Sequence, residues 1–165
     1  MIATANKSLA ALTAADLMSR DVTMLPRAMS LRAAAHLLSE MQISGAPVVD
    51  ETGECVGVLS VTDFMHEVGY GERAASRPLH ANPGCVHSAW QVVDVDDLSI
   101  DEVDAYMTAD PVTVSPGTPL AELAREMIDA HIHRLIVVDA QNHPIGVVSS
   151  TDILAAVAHA DPRAR

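Results

Sequence analysis

The chain has 165 residues, 49% of them hydrophobic, and sets 22 Asp and Glu against 10 Lys and Arg for a net charge of −12. A field of that sign repels phosphate backbones, which excludes a general nucleic-acid-binding role. With one Phe, two Tyr and one Trp, the core must be built from Val, Ile, Leu, Ala and Met. No run approaches the roughly 18 apolar residues that a bilayer span needs. The opening MIATANKSLAALTAADLM lacks the charged start and long apolar stretch of a secretory leader. Cys55 and Cys85, the only cysteines, then read as reduced thiols. The expectation is a soluble, cytoplasmic protein with no membrane and no nucleic acid among its partners.

In chain order, residues 1–18 carry a mild helical pattern, and VTML (22–25) reads as a short strand. After Ser30, LRAAAHLLSEMQ keeps Leu31, Ala34, Ala35, Leu38 and Met41 on one helical face. APVVD (46–50) predicts a buried strand, ETGE a turn and CVGVLS (55–60) a second strand, with a helix starting at Ser60-x-x-Asp63. Residues 71–99 have Gly, Pro and small side chains but no sustained period, which is long for a mere connection. SIDEVDAYM (99–107) predicts a short amphipathic helix and VTV (112–114) a strand. LAELAREMIDAH, after Pro119, predicts a helix with Leu120, Leu123, Ala124, Met127 and Ile128 aligned. RLIVVD, AQNH and IGVVS then repeat strand, turn and strand, and Ser149 opens the last helix.

GVLSVTDFMH from Gly57 and GVVSSTDILA from Gly146 stand 89 positions apart, and the register holds without a gap. Met18 falls on Met107, Asp21 on Asp110, Leu31 on Leu120, Asp50 on Asp139, and Ser60, Thr62 and Asp63 on Ser149, Thr151 and Asp152. This is a duplicated β-α-β-β-α unit. Neither half alone buries both its sheet face and its helices; two halves about a pseudo-twofold axis do. The organisation expected is an N-terminal lead helix and first repeat over 1–70, an insert over 71–99 and a second repeat over 100–165.

With GAPVVD and HRLIVVD preceding the paired GVLSVTD and GVVSSTD, the chain resembles a tandem pair of cystathionine β-synthase (CBS) domains, a Bateman module. The resemblance implies an α/β fold of two CBS repeats with two clefts between them. It also implies an adenosyl ligand (AMP, ADP, ATP or S-adenosylmethionine) and a homodimer.

Ser149, Thr151 and Asp152 put a hydroxyl, first-turn N–H groups and a carboxylate at a helix N-terminus, which suits an anion. The resemblance gives Asp152 the ribose hydroxyls. Gly146 would let a base or sugar approach the strand. The resemblance assigns His133 and Arg134 to phosphate, which an imidazole and a guanidinium suit chemically. Val112, Leu135 and Ile136 would hold the adenine. The possible second cleft has Val22, Ala46, Pro47, Gly57, Ser60, Thr62 and Asp63, but Ser44 and Gly45 where the second repeat has His133 and Arg134.

The function expected is a non-catalytic module that binds an adenine nucleotide as regulatory ligand, requires no cofactor and signals to a separate, unknown protein. Ser-x-x-Asp ahead of an apolar run is also a helix-capping signal, so a ligand-free dimerisation or interaction module is the alternative. S-adenosylmethionine as the ligand is another. His80, Cys85 and His87 of the insert would serve a metal or redox sensor, but their spacing matches no recognised zinc pairing. Trp90 reads as an anchor for the insert. No nucleophile elbow, phosphate-binding Gly-rich loop or paired acid and base points to an enzyme.

Overall fold

A computed structural model of the chain describes residues 7–67 and 98–160. The insert candidates His80, Cys85, His87 and Trp90 lie outside the described residues. The fold is mixed α/β, with two small sheets and two compact units.

One unit takes residues 23–52, 56–67 and 98–110. It contains β1 (Leu25–Pro26), α1 (Leu31–Glu40), β2 (Gly45–Val49), β3 (Cys55–Ser60), α2 (Val61–Glu67) and β4 (Thr108–Ala109), with sheet order β1-β2-β3-β4. β1 runs parallel to β2, with Leu25 opposite Val48, and β4 antiparallel to β3, with Ala109 opposite Gly57. The period-3.6 pattern of α1 buries Leu31, Ala34, Ala35 and Leu38. Its start is capped by Ser30 Oγ, which accepts from Ala33 N at 3.3 Å. These side chains meet Val48, Leu59, Val61 and Phe64, and the same core takes in Leu98 and Val103.

The other unit takes residues 7–22, 53–55 and 111–160. Its repeat consists of β5 (Thr113–Val114), α3 (Leu120–Asp129), β6 (Arg134–Val138), β7 (Pro144–Ser149) and α4 (Ser150–Ala160). β5 is parallel to β6, and β6 pairs antiparallel with β7. Leu123, Met127, Leu135, Val137 and Val148 form the core together with Leu12, Ala14 and Leu17 from the N-terminal segment. The N-terminal lead-in thus supplies the core of the second repeat's unit, and residues 98–110, which lead into the second repeat, supply that of the first.

Each repeat has the β-α-β-β-α order read from the sequence. Two local expectations are corrected. The 99–107 helix is reduced to a single 3-10 turn, Val103–Ala105. Ser99 and Asp101 bond each other and the local backbone, and the N–H of Val103 is spent on Met29 O, so the helix cannot start with a Val103 N–H bond to Ser99 O. Among the described residues, the N-terminal helical pattern yields a 3-10 turn (Leu9–Ala11) and a one-turn helix (Ala14–Leu17). Both hairpin turns are closed by an Asp side chain. Asp50 accepts from Thr52 N at 2.9 Å, ahead of Gly53 at φ 88°. Asp139 accepts from the N–H groups of Gln141 and His143, ahead of Asn142 at φ 62°. The N–H of His143 is the main cause that holds the Asp139 carboxyl below its ordinary value.

Candidate nucleotide site at the start of the last helix

β7 ends at Ser149 and α4 begins one residue later. Asp152 Oδ2 accepts from Ser149 N at 2.7 Å and from Ser149 Oγ at 2.5 Å, while Ser149 Oγ accepts from Asp152 N at 3.2 Å. This is a reciprocal cap, with an aspartate in the third helical position. The capping role weighed from the sequence is therefore present. It consumes one carboxylate oxygen, and no described residue bonds Asp152 Oδ1.

The β6–β7 ladder places Arg134 opposite Ser149, and Ser150 N donates to His133 O at 2.9 Å. His133, Arg134 and Thr151 are exposed, while Ser149 and Asp152 are half-buried. Five of the residues singled out in the second repeat thus converge on one strand-to-helix joint: two cationic or donor side chains, two hydroxyls and a carboxylate. Ser150, which the sequence reading passed over, is the hinge of that joint.

The others divide. Ile136 is buried, and Leu135 is sealed in the core with Val137 and Val148, so from Leu135 only backbone is available to a base. Val112 is 37% exposed ahead of β5. At Gly146 a side chain of this chain makes the close approach to the strand. The place a Cβ would take lies on the Met18 side chain, with Met18 Cγ at 2.8 Å. The glycine is needed to seat the N-terminal segment, whose Ser19 exchanges both backbone hydrogen bonds with Val147 at 3.0 Å. Gly57 is covered in the same way by Met107. The matched pair Met18/Met107 was visible in the repeat register; its use was not.

In the first repeat, Asp63 Oδ2 accepts from Ser60 N at 2.7 Å and from Ser60 Oγ at 2.8 Å. Here the second oxygen also has a partner, Thr108 Oγ1 at 3.5 Å. Thr62 is exposed, Ala46 and Pro47 are buried, and Val22 belongs to the other unit. The position matched to Arg134 is Gly45, where a Cβ would lie 2.8 Å from Leu59 O and 3.2 Å from Ser60 Cα. Backbone crowding therefore excludes a side chain there without a local shift. Among the described residues no three His, Cys, Asp or Glu side chains cluster as a metal would require.

A strand-to-helix joint repeated in register on two β-α-β-β-α units defines the class of protein. A family model of the CBS domain matches the chain twice, over residues 14–70 and 100–159, and the chain belongs to that family. Among curated proteins it is 26% identical to 5′-AMP-activated protein kinase subunit gamma-3 of Sus scrofa, over 84% of this chain and 24% of that one. It is 29% identical to the chloroplastic CBS domain-containing protein CBSX2 of Arabidopsis thaliana, over 74% of this chain and 53% of that one. The chain spans about a quarter of the length of the first curated relatives it matches. The crystal structure of CBSX2 in complex with AMP superposes with a TM-score of 0.68 at 25% identity, covering 89% of this chain and 97% of that one. The CBS domain pair of protein MJ0100, solved with 5′-methylthioadenosine and S-adenosyl-L-methionine, shares the fold at TM-score 0.66 and 20% identity, covering 88% and 99%.

Proposed function

We propose that the protein is a regulatory module that binds an adenine nucleotide at the start of α4, performs no chemistry on it, and passes the bound state to a separate protein. The observation that carries this reading is the pairing of Arg134 with Ser149 in the ladder, beside an Asp152 that keeps one carboxylate oxygen open. In this reading Asp152 Oδ1 accepts from a ribose hydroxyl. The Thr151 hydroxyl and the first-turn N–H groups that the cap does not use face phosphate, and Arg134 and His133 close on it. The likeness to an AMP-bound CBSX2 supports AMP as the first ligand to test, and the Arg134 guanidinium beside the His133 ring favours a phosphate-bearing ligand over S-adenosylmethionine. The first repeat, with Gly45 and a doubly bonded Asp63, is the poorer site.

The rival reading, an interaction module without ligand, draws on the cap itself, which gives Ser149 and Asp152 a structural purpose. The test is calorimetric titration of the full chain with AMP, ADP, ATP and S-adenosylmethionine. Arg134→Ala and Asp152→Asn are the variants; the amide keeps an acceptor for the cap. One nucleotide bound per chain, weakened roughly 10- to 100-fold by each variant, is expected, since a charge-assisted hydrogen bond is worth about 1.5–3 kcal/mol. No heat with any of the four overturns the nucleotide reading in favour of the interaction module.

A further inference from the structure

Met18 and Met107 stand at matched positions of the two lead-ins, although their neighbours differ. Over 12–22 against 101–111, only Met18 with Met107 and Asp21 with Asp110 are the same residue in both copies. Each methionine ends an i→i−4 turn: Met18 N donates to Ala14 O at 2.8 Å and Met107 N to Val103 O at 2.9 Å. Each then lays its thioether on a strand glycine. The atom nearest the Cβ place of Gly146 is Met18 Sδ, and at Gly57 it is Met107 Sδ; among the described glycines, only these have a sulfur nearest. Packing alone accepts Leu for Met at small cost, because the volumes are alike. What Leu lacks is a sulfur that an oxidant can reach, and both methionines are half-buried rather than sealed.

These sulfurs also lie where each lead-in is fastened. Beside Met18, Ser19 and Val147 exchange backbone hydrogen bonds at 3.0 Å, on β7 and close to the Ser149 cap. Beside Met107, β4 pairs with β3, with Ala109 opposite Gly57. We propose that Met18 and Met107 are paired oxidation sites whose conversion to sulfoxide releases the lead-ins from β7 and β3. Hydrogen peroxide supplies the oxygen: the thioether sulfur attacks one peroxide oxygen, an S–O bond forms and the O–O bond breaks. The proton on the transferred oxygen passes to the departing hydroxide to give water; sulfur is oxidised by two electrons and the peroxide reduced by two. The product carries a strongly polar oxygen on the atom that fills the glycine's Cβ place. At Gly57, Thr108 O lies 3.0 Å from that place, an acceptor where a sulfoxide oxygen needs a donor.

The full chain without nucleotide is treated with graded hydrogen peroxide, and oxidation at each methionine is read by peptide mass spectrometry. Met24 and Met41, 44% and 50% exposed, report ordinary surface oxidation. Met18 and Met107 are expected to oxidise over the same peroxide range. Hydrogen exchange should then quicken at least about tenfold at Ser19, Val147 and β4, while the amides of α1 and α3 hold. Methionine sulfoxide reductases A and B, which take one epimer each, should restore the protection. The double variant Met18→Leu, Met107→Leu keeps the volume of both contacts and should melt near the wild-type temperature. Peroxide should leave its exchange unchanged, although it retains Cys55, Cys85 and every other methionine. The proposal is overturned if Met18 and Met107 stay unoxidised once Met24 and Met41 are fully oxidised, or if they oxidise with exchange at Ser19, Val147 and β4 unaltered. Loss of the same protection in the Leu variant under peroxide overturns it too, since the damage would then lie elsewhere. None of these readouts depends on whether AMP binds at Asp152.

Discussion

At the residue scale, each of the two glycines of the GVxS strands has a methionine side chain in the place a Cβ would take. Gly146→Ala puts a methyl group onto Met18 and should destabilise the protein by about 1–3 kcal/mol, as overpacking does. Chemical denaturation checks this. Adding Met18→Ala should make the double variant lose less than the sum of the two single losses, because the residues share one contact. Asp16 offers a pH test. Its carboxyl is held below the ordinary value chiefly by the hydrogen bond from the Lys7 ammonium, at 2.7 Å, and then by the Thr13 N–H. A depressed folded value means that its contribution is complete above about pH 4 and fades as the pH falls below it. Asp16→Asn should therefore lower the urea midpoint at pH 7, and the gap from wild type should narrow as the pH falls below the ordinary carboxylate range.

At the element scale, the helices differ in how they are held. α1 has a hydroxyl cap and four buried side chains, whereas α3 starts at Pro119 with no side-chain cap and buries two. Ser30→Ala should cost about 0.5–2 kcal/mol, measured by thermal or urea unfolding, because it orphans the Ala33 N–H at the helix start. The hairpin strands and both main helices were legible from period and turn chemistry: Leu31, Ala34, Ala35 and Leu38 are the buried face that the spacing predicts. The 99–107 segment was not. Its apolar spacing looked helical, but Leu98 and Val103 are buried from a segment whose donors are committed to Met29 and the Arg27 carbonyl. Arg32 fastens the same segment through Leu98 O at 2.8 Å. Periodicity reports which side chains want burial, not where the backbone hydrogen bonds go.

At the scale of the whole molecule, the lead-in segments are distributed across the repeats. Leu12, Ala14 and Leu17 are core residues of the second-repeat unit, at roughly 1.5–3 kcal/mol for each large side chain buried. Removing residues 1–22 should therefore strip hydrogen-exchange protection from β5, β6 and β7, and leave the amides of β1, β2 and β3 much less affected. Equal loss in both sheets would contradict this division of the core. No helix among the described residues is long and apolar enough to cross a membrane, in keeping with the absence of a long apolar run.

Sequence alone determined the duplicated β-α-β-β-α unit, the family, and the grouping of Ser149, Thr151 and Asp152, because hydrophobic period, turn residues and caps act over a few neighbouring positions. It also exposed the contrast between His133–Arg134 and Ser44–Gly45. Tertiary structure decided what those residues are free to do. It assigned one oxygen of Asp152 to a cap, covered Gly146 with Met18 and sealed Leu135 in the core. It also decided which repeat receives each lead-in. The two repeats offer similar strands, each with a bare glycine, and nothing local to residues 7–22 encodes which of two like surfaces will take Met18; only the closed packing of the chain makes that choice.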